Sequence, residues 1–285
     1  MAHETFPVAW QGRVAVMENV PVARDTYRLR FACPEIARRI LPGQFLMFRL
    51  PGNNDPLLGR PLAVYDVIAG THGPQWIDVV YVAIGRMTRR LAGVEAGAEL
   101  ELWGPLGNGF PPVPTEHLVM VAGGIGQTPF LMLAKEYLGR ASYGDPPRAV
   151  PLAQKVSLCY GARTVDYLAC VDAFRQAGVE VHLSTDDGSH GCCGLVTDLV
   201  GAVVASTGLA TRIVCCGPEP MMKATTEVAR KLGVPCQVSL ETPMACGIGI
   251  CFSCVAKVRD ADGHWDYHRT CVEGPVFNAE DVELE

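Results

Sequence analysis

Short apolar runs broken by turn residues fill the first 113 residues. Residues 13–20, 26–32, 45–50, 61–68, 76–84 and 99–103 each have the length and alternation of a strand. Pro42-Gly43, Pro51-Gly52-Asn53-Asn54 and Gly70-Thr71-His72-Gly73-Pro74 separate them. Six such strands predict a small antiparallel β-barrel. Residues 111–116 read as a linker. From Leu118 the rhythm becomes strand, glycine-rich turn, helix. Strands are expected at 118–122, 156–160, 179–184 and 212–216, and helices at 127–138, 165–177 and 219–232. That alternation predicts an α/β domain with an open parallel sheet. Residues 139–154 are polar and proline-rich, which predicts an exposed loop. Beyond residue 237 only short strand signals remain, too little for an apolar core of its own. The expected division is 1–113, 114–236 and 237–285, with the acidic end 279–285 solvated.

Composition narrows the class. Hydrophobic residues make up 49% and charged residues 19%, so disorder is excluded and a sizeable core is available. The net charge is −6 without a basic stripe, which argues against a nucleic-acid partner. The most apolar window, 118–134, is interrupted by Gly123, Gly124, Gly126, Gln127 and Pro129, so no membrane span is expected. The opening Met1-Ala2-His3-Glu4-Thr5-Phe6-Pro7 lacks a basic segment followed by an apolar one. The chain is read as cytoplasmic, with its twelve cysteines reduced.

Four of those cysteines cluster in the tail. Cys246-x4-Cys251-x2-Cys254 followed by Cys271 has the spacing of a plant-type 2Fe-2S site. Two sulfide-bridged irons need four thiolates from a tight loop. Gly247 and Gly249 let such a loop close, and its amide N–H groups then point at sulfur. A structural zinc or free thiols are the alternatives, but zinc usually takes two short Cys-x2-Cys pairs and only Cys251 and Cys254 form one. His264 and His268 lack the Cys-x-His pairing of a Rieske centre. Seven of the other eight cysteines (Cys33, Cys159, Cys170, Cys192, Cys193, Cys215 and Cys236) fit no metal spacing and read as structural thiols.

Two strand-to-helix turns suggest a nucleotide. Gly123-Gly124-Ile125-Gly126-Gln127-Thr128-Pro129 leaves backbone open to a phosphate, with Thr128 as expected N-cap and Pro129 at the first helical position. It departs from the G-x-G-x-x-G fingerprint at Pro129, and a purely structural turn is the competing reading. Cys216-Gly217-Pro218-Glu219 forms the second. In the barrel, Arg60 before Pro61 offers a planar fork for phosphate or a ribityl oxygen; otherwise it is a surface charge.

The order Arg60-Pro61, Gly-Gly-x-Gly-x-x-Pro and Cys-Gly-Pro resembles the ferredoxin–NADP reductase superfamily across nearly the whole chain. Gly104-Pro105-Leu106-Gly107-Asn108-Gly109-Phe110, the run from Met244 to Cys254 and the stretch Cys271 to Phe277 are similar to the electron transfer subunits of type B dihydroorotate dehydrogenases. The resemblance implies an FAD-binding barrel, an NAD-binding α/β domain and a small C-terminal 2Fe-2S domain. It implies FAD contacts at Arg60, Pro61, Leu62, Ala63, Val80, Tyr81, Val82, Met87 and Thr88. It implies nicotinamide contacts at Gly123, Gly124, Gly126, Thr128, Asp186, Asp187, Cys216, Gly217, Pro218 and Glu219. No catalytic acid or base is implied. It further implies an FMN-containing catalytic subunit that oxidises dihydroorotate in pyrimidine biosynthesis, two of each chain forming a heterotetramer, and a relay from that FMN through cluster and FAD to NAD+. Asp186 and Asp187 disfavour a 2′-phosphate, hence NAD over NADP, although Arg163 could welcome one. Ala63 replaces a usual Ser or Thr, and Gly85-Arg86-Met87-Thr88 a usual Gly-x-Gly-Thr. A diaphorase subunit of a hydrogenase or sulfur reductase, or the small subunit of a bifurcating ferredoxin:NADP oxidoreductase, shares most of these motifs. A zinc-stapled binding module is the reading from another class.

Overall fold

Alternate residues of the N-terminal strands turn inward and close them into a barrel. The computed structural model describes residues 9–52, 55–260 and 262–284, so the opening heptapeptide and Asn53-Asn54 of the expected turn lie outside the described residues. The barrel strands are β1 (Trp10–Ala23), β2 (Thr26–Ala32), β3 (Phe45–Arg49), β4 (Arg60–Gly70), β5 (Gly73–Val82) and β6 (Glu99–Leu106). They run antiparallel in the ring order β1-β2-β5-β4-β3-β6. Leu29 and Phe31 of β2 are buried, while the intervening Arg28 and Arg30 face outward to Glu18 and Asp78. Helix α1 (Pro34–Ala37) adds Ile36 to this core, and α2 (Arg86–Leu91) adds Met87 and Leu91.

The second unit alternates β7 (His117–Gly123), α3 (Phe130–Tyr137), β8 (Lys155–Ala162), α4 (Val171–Ala177), β9 (Glu180–Thr185), β10 (Cys192–Cys193), α5 (Thr197–Ala205), β11 (Thr211–Cys216), α6 (Glu219–Leu232) and β12 (Cys236–Ser239). Along β7, Leu118, Met120 and Ala122 pack under α3 and α4, while Val119 and Val121 pack under α5 and α6. The strand is thus buried on both faces, which is why it reads as a continuous apolar run. The tail adds β13 (Val255–Arg259), β14 (Trp265–Arg269) and β15 (Val276–Asn278). Among the described residues the sheet order is β10-β9-β8-β7-β11-β12-β15, parallel except for the β12–β15 pair. β13 and β14 form a separate hairpin.

Three local expectations need correction. The 127–138 helix begins at Phe130, after a 3-10 turn over Gly124–Gln127, and the Thr128 side chain makes no capping bond. The 165–177 helix is broken: a 3-10 turn at Val165–Tyr167 is followed by Cys170 at φ 59°, and only then does α4 start. The 139–154 stretch is a mostly exposed loop, as expected, and it is also anchored. Tyr143 is buried in the barrel core, and the Arg148 guanidinium donates to Glu136 at 2.8 and 2.6 Å and to the Phe110 carbonyl at 2.6 Å. The acidic end is not merely solvated, because Ala279 and Val282 are buried and Val282 bridges to Val258. β15 and β12 also tie the tail to the nucleotide sheet, so the expected boundary at 236–237 falls inside β12. Lys135 on α3 reaches Asp66 of β4 at 2.6 Å, joining the barrel to that sheet.

Candidate redox site

A cleft of about 810 Å³ opens where the barrel, the nucleotide sheet and the tail meet. The barrel wall consists of Arg60, Pro61, Leu62 and Ala63 at the start of β4, and Val80, Tyr81 and Val82 at the end of the adjacent β5. Two hydrogen bonds fix Arg60 there: its guanidinium donates to the carbonyls of Leu58 (3.2 Å) and Gly59 (2.9 Å). Tyr81 presents backbone to the cleft, since its ring is buried in the barrel and its phenol donates to Asn19 at 3.1 Å. Thr88 and Gly85 complete this wall, with the Gly85 N–H donating to Thr88 Oγ1 at 3.0 Å. Met87 does not line it: α2 turns that side chain into the barrel core, where it is 1% exposed.

On the sheet side the cleft is lined by Ile125, Thr128, Pro129 and Cys216. The neighbouring glycines have a packing reason. A Cβ on Gly126 would lie 2.2 Å from the Cys216 carbonyl oxygen, and one on Gly123 would meet Met221 at 2.6 Å and Pro218 at 2.8 Å. Gly217, at φ 150°, backs onto the Gly123 nitrogen. These three positions therefore interlock the two turns. Gly124, at φ 54° with open space around it, is the one left accessible. Burial pushes the Cys216 thiol well above its ordinary pKa, and Ser239 hydrogen-bonds to it. Asp186, Asp187, Pro218 and Glu219 are exposed beyond the cleft. Asp187 accepts from the Ser189 N–H (3.0 Å) and hydroxyl (2.6 Å), which hold its carboxyl below the usual range.

The tail forms the third wall, through residues 239–245 and Ser253. Sequence reasoning missed Ser239, Glu241, Thr242 and Ser253. The signal was indirect: pairing of Val238 with Cys215 carries the chain past Cys216 and into the cleft. The four cysteines follow directly. Cys254 and Cys271 are buried, Cys246 is half-buried and Cys251 exposed. They form two contacting pairs, Cys246 with Cys251 and Cys254 with Cys271. Among the described residues no three His, Cys, Asp or Glu side chains gather round a single ion position. Hydrogen bonds from Ser253, then from Cys246, lower the Cys251 thiol to about 6, whereas burial raises Cys271 to about 12. The Ile248 N–H donates to the Cys246 sulfur at 3.4 Å, and the Gly249 N–H to that of Cys271. Gly247 and Gly249 have φ of 73° and 81°, and a Cβ would strike Met47 or Val272. His268 packs edge-on against Phe277 and His264 is exposed near Asp260. Cys192 and Cys193 prove exposed, unlike the buried Cys33, Cys159 and Cys215.

Residues 241–283 match the model of the iron–sulfur cluster binding domain of dihydroorotate dehydrogenase B, and residues 120–227 that of the oxidoreductase NAD-binding domain. The dihydroorotate dehydrogenase B (NAD(+)) electron transfer subunit of Fusobacterium nucleatum is 33% identical over 274 residues, covering 95% of this chain and 97% of the relative. That of Caldanaerobacter subterraneus is 35% identical, covering 96% and 98%. Among solved structures, the NADH-dependent reduced ferredoxin-NADP oxidoreductase described for flavin-based electron bifurcation has a TM-score of 0.79 at 28% identity, covering 95% of this chain and 90% of that one. The ferredoxin reductase of carbazole 1,9a-dioxygenase, at 22% identity and a TM-score of 0.63 over 81% and 68%, shares the fold. Relatives of this similarity over nearly their whole length establish that the chain belongs to the family of electron transfer subunits of dihydroorotate dehydrogenase B (NAD+).

Proposed function

We propose that this oxidoreductase subunit holds FAD in the three-walled cleft and a 2Fe-2S cluster on Cys246, Cys251, Cys254 and Cys271, and so connects NAD+ with the FMN of a dihydroorotate-oxidising catalytic chain. The observation that carries this reading is the contiguity of the two sites. Ser253 lines the cleft, and its hydroxyl lies 3.2 Å from the Cys251 sulfur. When bound, a flavin exchanges both hydride pairs and single electrons, whereas a 2Fe-2S cluster exchanges single electrons.

The donor set fits two irons. Four thiols on a Cys-x4-Cys-x2-Cys spacing with a distant fourth suit two irons, whereas a structural zinc usually takes two short Cys-x2-Cys pairs and only Cys251 and Cys254 form one. The amide N–H groups of Ile248 and Gly249 stabilise negative charge on the sulfurs. The cleft fits a dinucleotide, having a volume of about 810 Å³ and a mainly apolar lining with Arg60 as a fixed cation. Pro61, Leu62, Ala63, Val80, Tyr81 and Val82 supply the flavin wall, and Thr88 with Gly85 the phosphate side. Ala63 offers no hydroxyl there. NAD is assigned to Gly124, Thr128, the Cys216–Glu219 turn, Asp186 and Asp187, whose charges disfavour a 2′-phosphate.

An electron transfer subunit serves a catalytic dihydroorotate dehydrogenase chain, and we assign its docking face to the cysteine loop. Ile248, Ile250 and Phe252 are 48%, 73% and 62% exposed beside the cluster cysteines, and burying them on a partner is favourable. A heterotetramer with two of each chain and a cytoplasmic location complete the proposal; the twelve cysteines are all unbridged. No helix of the described residues is long and apolar enough to cross a membrane.

Protein purified without oxygen tests the reading by flavin, iron and sulfide analysis and by the reduced-state EPR spectrum. One FAD with about two irons and two sulfides per chain is expected. Colourless zinc protein would overturn it. Co-purification with a hydrogenase, instead of an FMN protein that oxidises dihydroorotate, would keep the sites and replace the partner.

A further inference from the structure

Thr270 follows β14, precedes the cluster cysteine Cys271 and is fully buried. Its hydroxyl donates to the Cys254 carbonyl at 2.9 Å, and its N–H donates to the same oxygen at 3.0 Å. A further hydrogen bond joins this hydroxyl to that of Thr242, which lines the cleft. A threonine hydroxyl has one proton to give. The Cys254 carbonyl can only accept, so it takes the proton of Thr270. The bond between the two threonines therefore uses the proton of Thr242. What Thr242 keeps for an occupant of the cleft is a lone pair.

The other hydroxyls of the tail wall are committed in the same way. Ser239 donates to the Cys216 sulfur and Ser253 to that of Cys251. The wall thus has no hydroxyl proton free for the cleft, and it favours an occupant edge that carries N–H. The isoalloxazine assigned to this cleft has one: N3 carries a proton in both redox states, and N5 carries one after reduction. The hydrogen-bonded chain from Thr242 through Thr270 to Cys254 therefore runs from the flavin assignment to a cluster cysteine.

We infer that Thr270 is a positioning residue for the flavin: it draws the Thr242 proton out of the cleft, so that Thr242 accepts a flavin N–H. The inference deepens the FAD assignment and rests on it. In Thr270→Val the side chain keeps its shape, and the backbone N–H still serves Cys254. The Thr242 proton, which water satisfies in the empty cleft, then faces either a methyl group or the flavin N–H when FAD binds. Each costs one hydrogen bond. The test measures the dissociation constant of oxidised FAD, the flavin midpoint potential and the iron per chain. Thr270→Val and Thr242→Val are expected to weaken FAD about 2- to 10-fold in one or both redox states, at unchanged iron content, and Thr270→Ser to recover the loss. A bond to N3–H weakens both states and leaves the potential in place; a bond to N5–H weakens only the reduced state and lowers the potential. Unchanged affinity and potential would overturn the role of Thr270, as would iron loss in step with flavin loss, which would make it a support of the cysteine loop alone. Failure of the unsubstituted protein to bind FAD would overturn the FAD assignment instead.

Discussion

The indole N–H of Trp103, on barrel strand β6, donates to the carbonyl of Cys246 across 2.9 Å. The cysteine loop thus rests on the barrel as well as on the tail. Met47 of β3 reinforces this floor by filling the space that a Cβ on Gly247 would need. Trp103→Phe keeps an aromatic ring and removes the bond, a loss of about 1 kcal/mol. Iron release to a chelator, followed by bleaching of the visible absorbance, should then be about fivefold faster by that energy, at unchanged flavin content. An unaltered rate would mean that this bond does not restrain the loop.

The pairing of the cysteines gives a second prediction. Cys246→Ser and Cys271→Ser remove one member of each pair. Both should lose most of their iron, because each iron needs both of its thiolates. Cys192→Ser and Cys193→Ser alter exposed thiols on the edge strand β10 and should retain iron in full. Iron content per flavin separates the cases. Iron loss in a β10 variant would contradict the ligand set.

The barrel, the alternating nucleotide unit and the cysteine spacing were legible because each is a local pattern. Alternation marks β2, a doubly buried run marks β7, and the interval from Cys246 to Cys254 is a property of one loop. What escaped was non-local. Nothing within Gly123–Gly126 announces that Cys216 and Met221 will press against it, so glycines that read as open to phosphate prove largely to be packing devices. Met87 was assigned by its place in a motif, but the first turn of α2 directs it into the barrel. Ser239, Glu241 and Thr242 enter the cleft only because β12 pairs with β11. The helix breaks at Thr128 and Cys170 reflect tertiary fit that overrides propensity.

Two glycines should respond oppositely to the same substitution. Gly201 lies within α5, and a Cβ there meets nothing within 4 Å. Gly201→Ala should stabilise the protein by about 0.5–1 kcal/mol through lower unfolded-state entropy and better helix propensity. Gly126→Ala would place its methyl 2.2 Å from the Cys216 carbonyl oxygen and force the interlocked turns apart. A cost of about 2 kcal/mol or more is expected, as for other overpacked sites, together with weaker NAD+ binding. Urea unfolding of the two variants checks the signs. A tolerated Gly126→Ala would show that the turns are not interlocked.

His117 sets a pH limit on stability. Its ring is fully buried at the start of β7, with Nε2 2.9 Å from Ser157 Oγ and Nδ1 3.3 Å from Thr207 Oγ1. Burial lowers its pKa, and nearby Lys155 lowers it further. The unfolded chain therefore binds a proton near pH 6.5 that the folded chain still refuses. Unfolding takes up that proton, so stability falls with acidification from about pH 6.5 until the lower folded-state value is passed, with a slope of at most about 1.4 kcal/mol per pH unit. His117→Gln has no proton to gain. It should lower stability at neutral pH through imperfect packing, yet flatten the acid slope. Urea midpoints for both proteins at intervals between about pH 7.5 and 5.5 supply the comparison. Parallel curves would assign the acid sensitivity to another group.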